Sequence, residues 1–323
     1  MATELMLTSK SELEQAQASG ANPAHSYLMG LTATGRRTMT STLAQVADML
    51  GGDIESVPWA ALRYEHVTAL RTALGERGLA PATVNKYLAA LRGVARETWR
   101  LGQIDAETYQ RIAAVKGVRG ETLPAGRGLG PGEIGALMRA CANDHTPAGA
   151  RDAAIIAMGY GAGLRRAELA GLDLADLSDD GEIITATIRG KGGKERLVYL
   201  DNGSANAMRD WLAVRGLDAG PLFYRGRKGG SLVHGQRLSG QAIRDILVKR
   251  AAEAGLDTTT PHDLRRSFVS DLLEAGVDIS TVANMAGHAN IETTRRYDRR
   301  GEQAKRKAAR ALHVPYQKRG LQD

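Results

Sequence analysis

Residues 183–200 read IITATIRGKGGKERLVYL, and this stretch decides the fold because it is the clearest departure from helical patterning in the chain. Ile183 to Arg189 alternates with β-branched side chains, Gly190 to Lys194 supplies turn residues, and Arg196 to Leu200 resumes as a partner run. Alternation broken by a glycine-rich turn predicts two antiparallel strands joined as a hairpin, with Lys191 at its tip. A small sheet is therefore expected inside an otherwise helical protein.

Outward from the hairpin the apolar residues follow the helical period. Leu43, Val46, Ala47 and Leu50 recur at i, i+3, i+4 and i+7 and stop at Gly51-Gly52. Val67, Leu70 and Leu74 mark a second helix ending near Gly78. Pro81 opens a third, with Val84, Tyr87, Leu88, Leu91 and Val94 inward and Asn85, Lys86, Arg92 and Arg96 on other faces. A shorter helix runs from about Ala106 to Val115. Beyond a glycine- and proline-rich stretch, Pro131 starts a helix carrying Ile134, Leu137 and Met138, and another spans roughly Arg151 to Tyr160. After the hairpin come helices near Ser204 to Val214 and Ser239 to Ala254, the latter capped by Ser239 and ended by Gly255. The expected organisation is an N-terminal extension over 1–22, a compact bundle of four or five helices over 23–118, a linker over 119–130, and a mostly α domain with a small antiparallel sheet over 131–323, closing in a basic tail over 298–323.

Composition agrees with a mainly α protein. Phe occurs twice and Trp three times in 323 residues, so the cores must be built from Leu, Ile, Val and Ala. The single cysteine, Cys141, rules out an intramolecular disulfide framework. Met1 to Gln15 contains three glutamates and no apolar secretory core, and no apolar run approaches the roughly 20 residues a membrane helix needs. A cytoplasmic location without membrane association is expected. The net charge of +7 is unevenly placed. Arg295 to Asp323 holds ten Lys or Arg against three acids, which is +7, so residues 1–294 sum to zero. An isolated basic tail is ordinarily a solvated segment. Here it begins beside Tyr297, which favours contact with a polyanion backbone, Arg295 and Arg296 included.

Six residues in three motifs and the hairpin carry the chemistry: Arg165 in Gly163-Leu164-Arg165-Arg166-Ala167-Glu168-Leu169, Lys191, His262 and Arg265 in Pro261-His262-Asp263-Leu264-Arg265, and His288 followed nine residues later by Tyr297. A phosphodiester under attack concentrates negative charge on its non-bridging oxygens, and fixed cations there lower the barrier. Arginine suits this role because its fork donates to two oxygens at once. His262 and Arg265 are spaced i, i+3 on a helix begun by Pro261, so both project near a helix N-terminus, where phosphate is already favoured. A lysine on a hairpin tip can protonate a departing alkoxide, a role open to Lys191 or Lys194. A tyrosine can attack phosphorus, although its ordinary pKa of about 10 demands a base or a cationic field. Asn290, Glu292 and Thr293 predict a cap and first turn placing Tyr297 on a short helix. Taken singly, each residue has a plainer explanation: a surface arginine pair, a loop lysine, a capping or turn histidine, a tyrosine stacked on guanidinium. Two histidines without a Cys or carboxylate complement do not complete a zinc site, and Glu168 and Asp263 alone do not make a two-metal site. No metal or other cofactor is expected.

In order and spacing the set resembles the tyrosine recombinases, the phage integrase and Xer superfamily. The resemblance covers roughly residues 23–300, with Gly163–Leu169, Gly190–Arg196, His262–Arg265 and Gly287-His288 with Tyr297 as its strong motifs. It implies an all-α core-binding domain of the SAM-like helical bundle kind and a catalytic domain of the DNA breaking-rejoining fold. It also implies that Arg165, Lys191, His262, Arg265, His288 and Tyr297 are catalytic, with Tyr297 the nucleophile and Glu168 a structural support. Double-stranded DNA would be clamped by the two domains, cut through a 3′-phosphotyrosyl bond and rejoined through a Holliday junction by a homotetramer on two sites. Asn85, Lys86, Arg92 and Arg96 then become candidate groove contacts. In such enzymes a C-terminal segment often docks onto a neighbouring protomer, and Ala311 to Tyr316 is the apolar patch after the nucleophile that fits this. The competing readings are a type IB topoisomerase-like relaxing enzyme and a DNA-binding accessory protein with a decayed site.

Overall fold

A computed structural model describes residues 20–120, 127–190, 193–227, 229–298, 309–310 and 315. Contacts divide the chain into two compact units, Met1–Leu123 and Pro124–Asp323.

The first unit is helical: α1 (Pro23–Met29), α2 (Ala33–Met49), α3 (Tyr64–Glu76), α4 (Pro81–Arg100) and α5 (Ala106–Ala113), with a 3-10 turn at Trp59–Ala61. Side-chain caps start three of them, with Asn22, Thr32 and Asp105 accepting from the backbone of the first turn. At the core lies α4, whose Val84, Tyr87, Leu88, Leu91 and Val94 are buried against Leu43 and Val46 of α2 and Val67, Leu70 and Leu74 of α3. That is the inward face expected from the sequence. The Asn85 amide donates to Val118 O at 3.0 Å and its carbonyl accepts from Val118 N at 2.8 Å. Arg92 Nη2 donates to Val115 O. These two side chains satisfy backbone groups of the segment after α5. Lys86 lies 5.5 Å from the Tyr87 ring centroid, and Arg96 is exposed.

The second unit contains α6 (Pro131–Ala142), α7 (Pro147–Gly161), α8 (Arg166–Gly171), strands β1 (Leu177–Asp179), β2 (Ile184–Arg189) and β3 (Glu195–Leu200), α9 (Asn202–Arg215), β4 (Tyr224–Gly226), β5 (Leu232–Arg237), α10 (Gly240–Glu253), α11 (Pro261–Glu274), α12 (Ile279–Ala286) and the single turn α13 (Glu292–Arg295). β2 and β3 pair antiparallel from Ile184 opposite Leu200 to Arg189 opposite Glu195, which is the hairpin read from the sequence, and β1 pairs along the far edge of β2. The β4–β5 pair was not legible, because Leu232–Arg237 is largely exposed and lacks alternation. α7 is the buried spine. Ile155 and Met158 pack with Met208 and Trp211 of α9 and with the inner face of the sheet, Ile184, Ala186 and Ile188.

Part of the expected linker is fastened to this unit. Arg127 N donates to Asp263 Oδ1 at 2.8 Å, Leu129 N donates to Ser267 Oγ at 2.6 Å, and Leu129 is buried beside Leu137 and Leu264. Asp263 thereby has a structural task, since its other oxygen caps the start of α11 through Thr260 N at 2.8 Å. Among the described residues no helix is long and apolar enough to cross a membrane.

Candidate active site

Arg165 stands at the entrance of α8, and Glu168 one turn later reaches back to it. Glu168 Oε2 accepts from Arg165 N and Oε1 from Arg165 Nη1, both at 2.8 Å. The same carboxylate accepts two bonds from Arg196 on β3, at 3.0 Å and 2.9 Å. Burial alone would raise the Glu168 carboxyl, but the hydrogen bonds and charges of Arg196 and Arg165 outweigh it and hold the group below its ordinary range. Glu168 is therefore an anion that fixes the direction of Arg165 without occupying its whole fork.

The other end of these arginines converges on the C-terminus of α12. Met285 O accepts from Arg196 Nε at 3.0 Å, Ala286 O from Arg265 Nη2 at 2.6 Å, and Gly287 O from Arg165 Nη2 at 2.7 Å. The last carbonyls of a helix lack intrahelical donors and carry its negative end, so guanidinium groups are favourable partners. Three consecutive carbonyls thus orient three arginines drawn from a loop, a strand and a helix. Gly287 makes this approach possible: it is left-handed at φ +62°, and a Cβ there would lie 2.9 Å from the Arg196 guanidinium. Gly163 plays a similar part. Its carbonyl accepts from Arg265 Nη1 at 2.5 Å, and a Cβ would fall 2.3 Å from the Phe268 ring. Arg265 is buried at 7% exposure. Burial, followed by the neighbouring Arg165 charge, pushes its guanidinium down to about 10, which leaves it charged at neutral pH.

His288 follows Gly287 and is half-buried, with Nδ1 2.7 Å from Thr294 Oγ1. Burial, and after it the charges of Arg265, Arg165 and Arg196, push the imidazole down to about 4, so at neutral pH the ring is uncharged. Tyr297 packs at the edge of a small cluster of Phe268, Val269, Leu273, Val282 and Ala286, with the Arg266 guanidinium 5.9 Å from its ring centroid. It does not lie on a helix as expected. α13 ends at Arg295, and Tyr297 sits in the turn beyond, its N–H donating to Thr294 O at 2.9 Å. Asn290 Oδ1 does cap the turn, through Glu292 N at 2.9 Å, but the helix lasts only one turn.

Arg165, His262, Arg265, His288 and Tyr297 line one cleft of about 500 Å³, and His262 is exposed within it. Lys191 and the patch Ala311–Val314 with Tyr316 lie outside the described residues; Lys194 is described and exposed. Arg295 and Arg296 are exposed beside the cleft's tyrosine. Among the described residues no group of three or more His, Cys, Asp or Glu side chains could hold a metal ion.

Sequence reasoning gave no role to Arg196, Thr294, Arg166 or Arg244, the last two also lining the cleft. A signal for Arg196 was present. It is in phase with the buried Val198 and Leu200, and a charge on the inward face of an alternating strand needs a partner. Arg196→Met should release both Glu168 and the α12 terminus. The reaction at the cleft is expected to slow about 100-fold, the scale of an ångström-level misplacement, with substrate affinity little changed. Comparing single-turnover rates at saturating protein with equilibrium binding checks this, and equal losses in both would contradict it.

Residues 128–303 match the phage integrase family. The chain is 34% identical over 271 residues to tyrosine recombinase XerC of Chromohalobacter salexigens, covering 82% of this chain and 83% of that protein. It is 33% identical over 243 residues to tyrosine recombinase XerD of Caulobacter vibrioides, covering 72% and 75%. Among solved structures, XerH site-specific recombinase bound to palindromic difH substrate in a post-cleavage complex is similar with a TM-score of 0.63 at 23% identity, covering 94% of this chain and 85% of that one. A lambda integrase dimer bound to a COC′ core site gives 0.62 at 16% identity, covering 85% and 95%.

Proposed function

The chain belongs to the phage integrase family and is a site-specific tyrosine recombinase, and from this premise we propose that Tyr297 is the nucleophile and duplex DNA the substrate. Tyr297 Oη attacks the scissile phosphorus and forms a 3′-phosphotyrosyl bond as the bond to the 5′ oxygen breaks. The phenolic proton leaves to a base or to water, and the departing 5′ alkoxide takes a proton from Lys191 or Lys194. Arg165, Arg265, His262 and His288 hold the non-bridging oxygens, each preorganised donor contributing on the order of 10²- to 10³-fold. The freed 5′ hydroxyl of a partner strand then attacks the phosphotyrosine, which restores the tyrosine and joins the exchanged strands. The observation that carries the reading is the convergence of Arg165, His262, Arg265, His288 and Tyr297, from separate segments, on one cleft. Charge supports it as well: Arg165 and Arg265 line that cleft, Arg165 paired with the buried carboxylate of Glu168 and Arg265 donating, among the described residues, only to the Gly163 and Ala286 carbonyls.

The 23–118 unit serves as a second DNA-binding domain on the same duplex, with Lys86 and Arg96 its candidate phosphate contacts. Asn85 and Arg92 act indirectly, by holding residues 115–118. Arg295 and Arg296 contact the backbone next to the cut. Exchange takes place in a tetramer on two sites, joined through residues 311–323.

Nicked suicide duplexes test this, with the site first found by sequencing DNA covalently attached to the protein. Wild type is expected to accumulate an adduct that peptide mapping assigns to Tyr297 and to exchange strands between two duplexes. Deleting residues 311–323 should preserve the adduct and reduce exchange. Adduct without any exchange in the full chain would move the reading to a relaxing enzyme, and absence of adduct would overturn it.

A further inference from the structure

We propose that Thr294 is a positioning residue that fixes His288 as the tautomer protonated at Nε2, making that N–H the donor the ring offers to the cleft. The assignment of what the N–H meets rests on the reading above; the tautomer itself does not.

A threonine in a helix commonly donates to the carbonyl one turn back. In this chain Thr38, Thr42, Thr72 and Thr98 all do so, at 3.1, 2.9, 3.1 and 2.8 Å. Thr294 does not. Its hydroxyl makes no hydrogen bond with Asn290 O, which accepts from Thr293 N, or with Ile291 O, which accepts from Thr294 N and Arg295 N. Thr294 is 0% exposed, and its hydrogen-bond partner is His288 Nδ1 at 2.7 Å. If Nδ1 carried the ring proton, the hydroxyl would have to accept, and its own buried proton would have no acceptor among the described residues. Leaving a buried donor unsatisfied disfavours that arrangement on the order of 10- to 100-fold. The hydroxyl therefore donates to Nδ1, and the neutral ring carries its proton at Nε2.

The surroundings keep the ring neutral. The ionisable groups that act on it or share its cleft are Arg165 before α8, Arg166 and Glu168 on α8, Arg196 on β3, Arg244 on α10, His262 and Arg265 on α11, and Tyr297 after α13. Three guanidinium groups against one carboxylate oppose a further positive charge. His288 is thus a fixed hydrogen-bond donor, whereas proton delivery to the leaving group falls to a lysine. Thr294 also links this donor to the nucleophile. Its carbonyl accepts from Tyr297 N at 2.9 Å while its hydroxyl holds the imidazole, so one residue sets both the ring and the turn that presents the tyrosine.

Long-range proton–nitrogen NMR on full-length protein labelled at histidine nitrogens reads the tautomer directly, with His288→Asn identifying the resonance. Wild type is expected to show an unprotonated Nδ1 and a protonated Nε2 unchanged between about pH 5.5 and 9. Thr294→Val should give a mixture of tautomers and slow adduct formation about 10-fold, and Thr294→Ser should restore both. A wild-type ring protonated at Nδ1 would overturn the proposal, and so would a Thr294→Val protein that cleaves normally with mixed tautomers. The wild-type spectrum decides the tautomer even if Thr294→Val does not fold. A protein with the expected spectrum that forms no adduct on any site would overturn the recombinase chemistry instead, leaving the tautomer assignment intact.

Discussion

Tyr297→Phe is expected to bind its DNA site with unaltered affinity and form no covalent adduct, a loss on the order of 10⁶-fold, the scale seen when a catalytic nucleophile is removed. The substitution should be structurally silent. The contacts that hold Tyr297 are made by its ring, against the Phe268, Val269 and Leu273 cluster and beneath Arg266, and by its backbone N–H to Thr294 O. Phenylalanine retains all of these. Only the hydroxyl is lost, and with it the atom that would bond to phosphorus. Binding rests on cationic side chains that the change does not touch, so the slope of affinity against salt should stay the same. Denaturing electrophoresis of wild type and variant on labelled suicide duplexes reads the adduct, and filter binding over a salt series reads the affinity. A variant that still forms an adduct would place the nucleophile elsewhere. One that loses affinity together with cleavage would make the tyrosine a structural residue of the turn.

The sequence disclosed those parts of the molecule whose signals are local. Strand alternation from Ile183 to Leu200 located the hairpin nearly to the residue, and the helical spacing of Val84, Leu88 and Leu91 identified the face on which the first unit is built. Motif order brought Arg165, His262, Arg265, His288 and Tyr297 into view as one set, and they do share a cleft. What stayed hidden depends on tertiary meeting. Nothing in Ala283–Gly287 announces that three of its neighbouring carbonyls will receive arginines from residues 165, 196 and 265. The destinations of Asn85 and Arg92 could not be seen either, because a polar side chain off the core face reads as solvated until the backbone that needs it is known. Tyr297 missed its expected helix by two residues, since cap residues mark where a helix starts and say little about a stop one turn later. The left-handed glycines fall between these cases. Gly163 and Gly287 stood out in the motifs, but the clashes that require them, with Phe268 and Arg196, are set by distant segments.

Asp152→Ala is expected to destabilise the second unit by about 3–5 kcal/mol, the range for breaking a buried ion pair from one side. Asp152 is 1% exposed, and its carboxylate neutralises two buried guanidinium groups. Oδ1 accepts from Arg151 Nε and Nη2 at 2.9 and 2.7 Å, and Oδ2 from Arg250 Nε and Nη2 at the same two distances. Arg250 keeps Asp144 at 2.6 Å and Glu253 at 2.9 Å, but Arg151 would be left with the Tyr224 carbonyl at 3.0 Å as its hydrogen-bond partner. Asparagine cannot rescue the site, because its amide presents a donor to a guanidinium and carries no charge. Against a total stability of roughly 5–15 kcal/mol the loss is large. A fall of about 10 °C in the melting temperature or more should follow, and a shift worth less than about 1 kcal/mol in urea, the value of an exposed pair, would show that the cluster is not the tie between α7 and α10 that its burial indicates. Acid should probe the same cluster. Burial opposes the Asp144 anion, but the bonds from Thr146 and Arg250 outweigh it and hold the carboxyl to about 2. A carboxyl depressed on folding contributes stability that is complete above its unfolded pKa of about 3.9 and lost as pH falls toward 2. Wild type should therefore lose stability on acidification below about pH 4. Arg165, Arg196 and Arg265 are held through Glu168 and the α12 terminus, with no hydrogen bond to Asp152. Well below its melting temperature, Asp152→Ala should then cleave at close to the wild-type rate, in contrast to Arg196→Met, which leaves the α7–α10 cluster whole and takes the order out of the cleft.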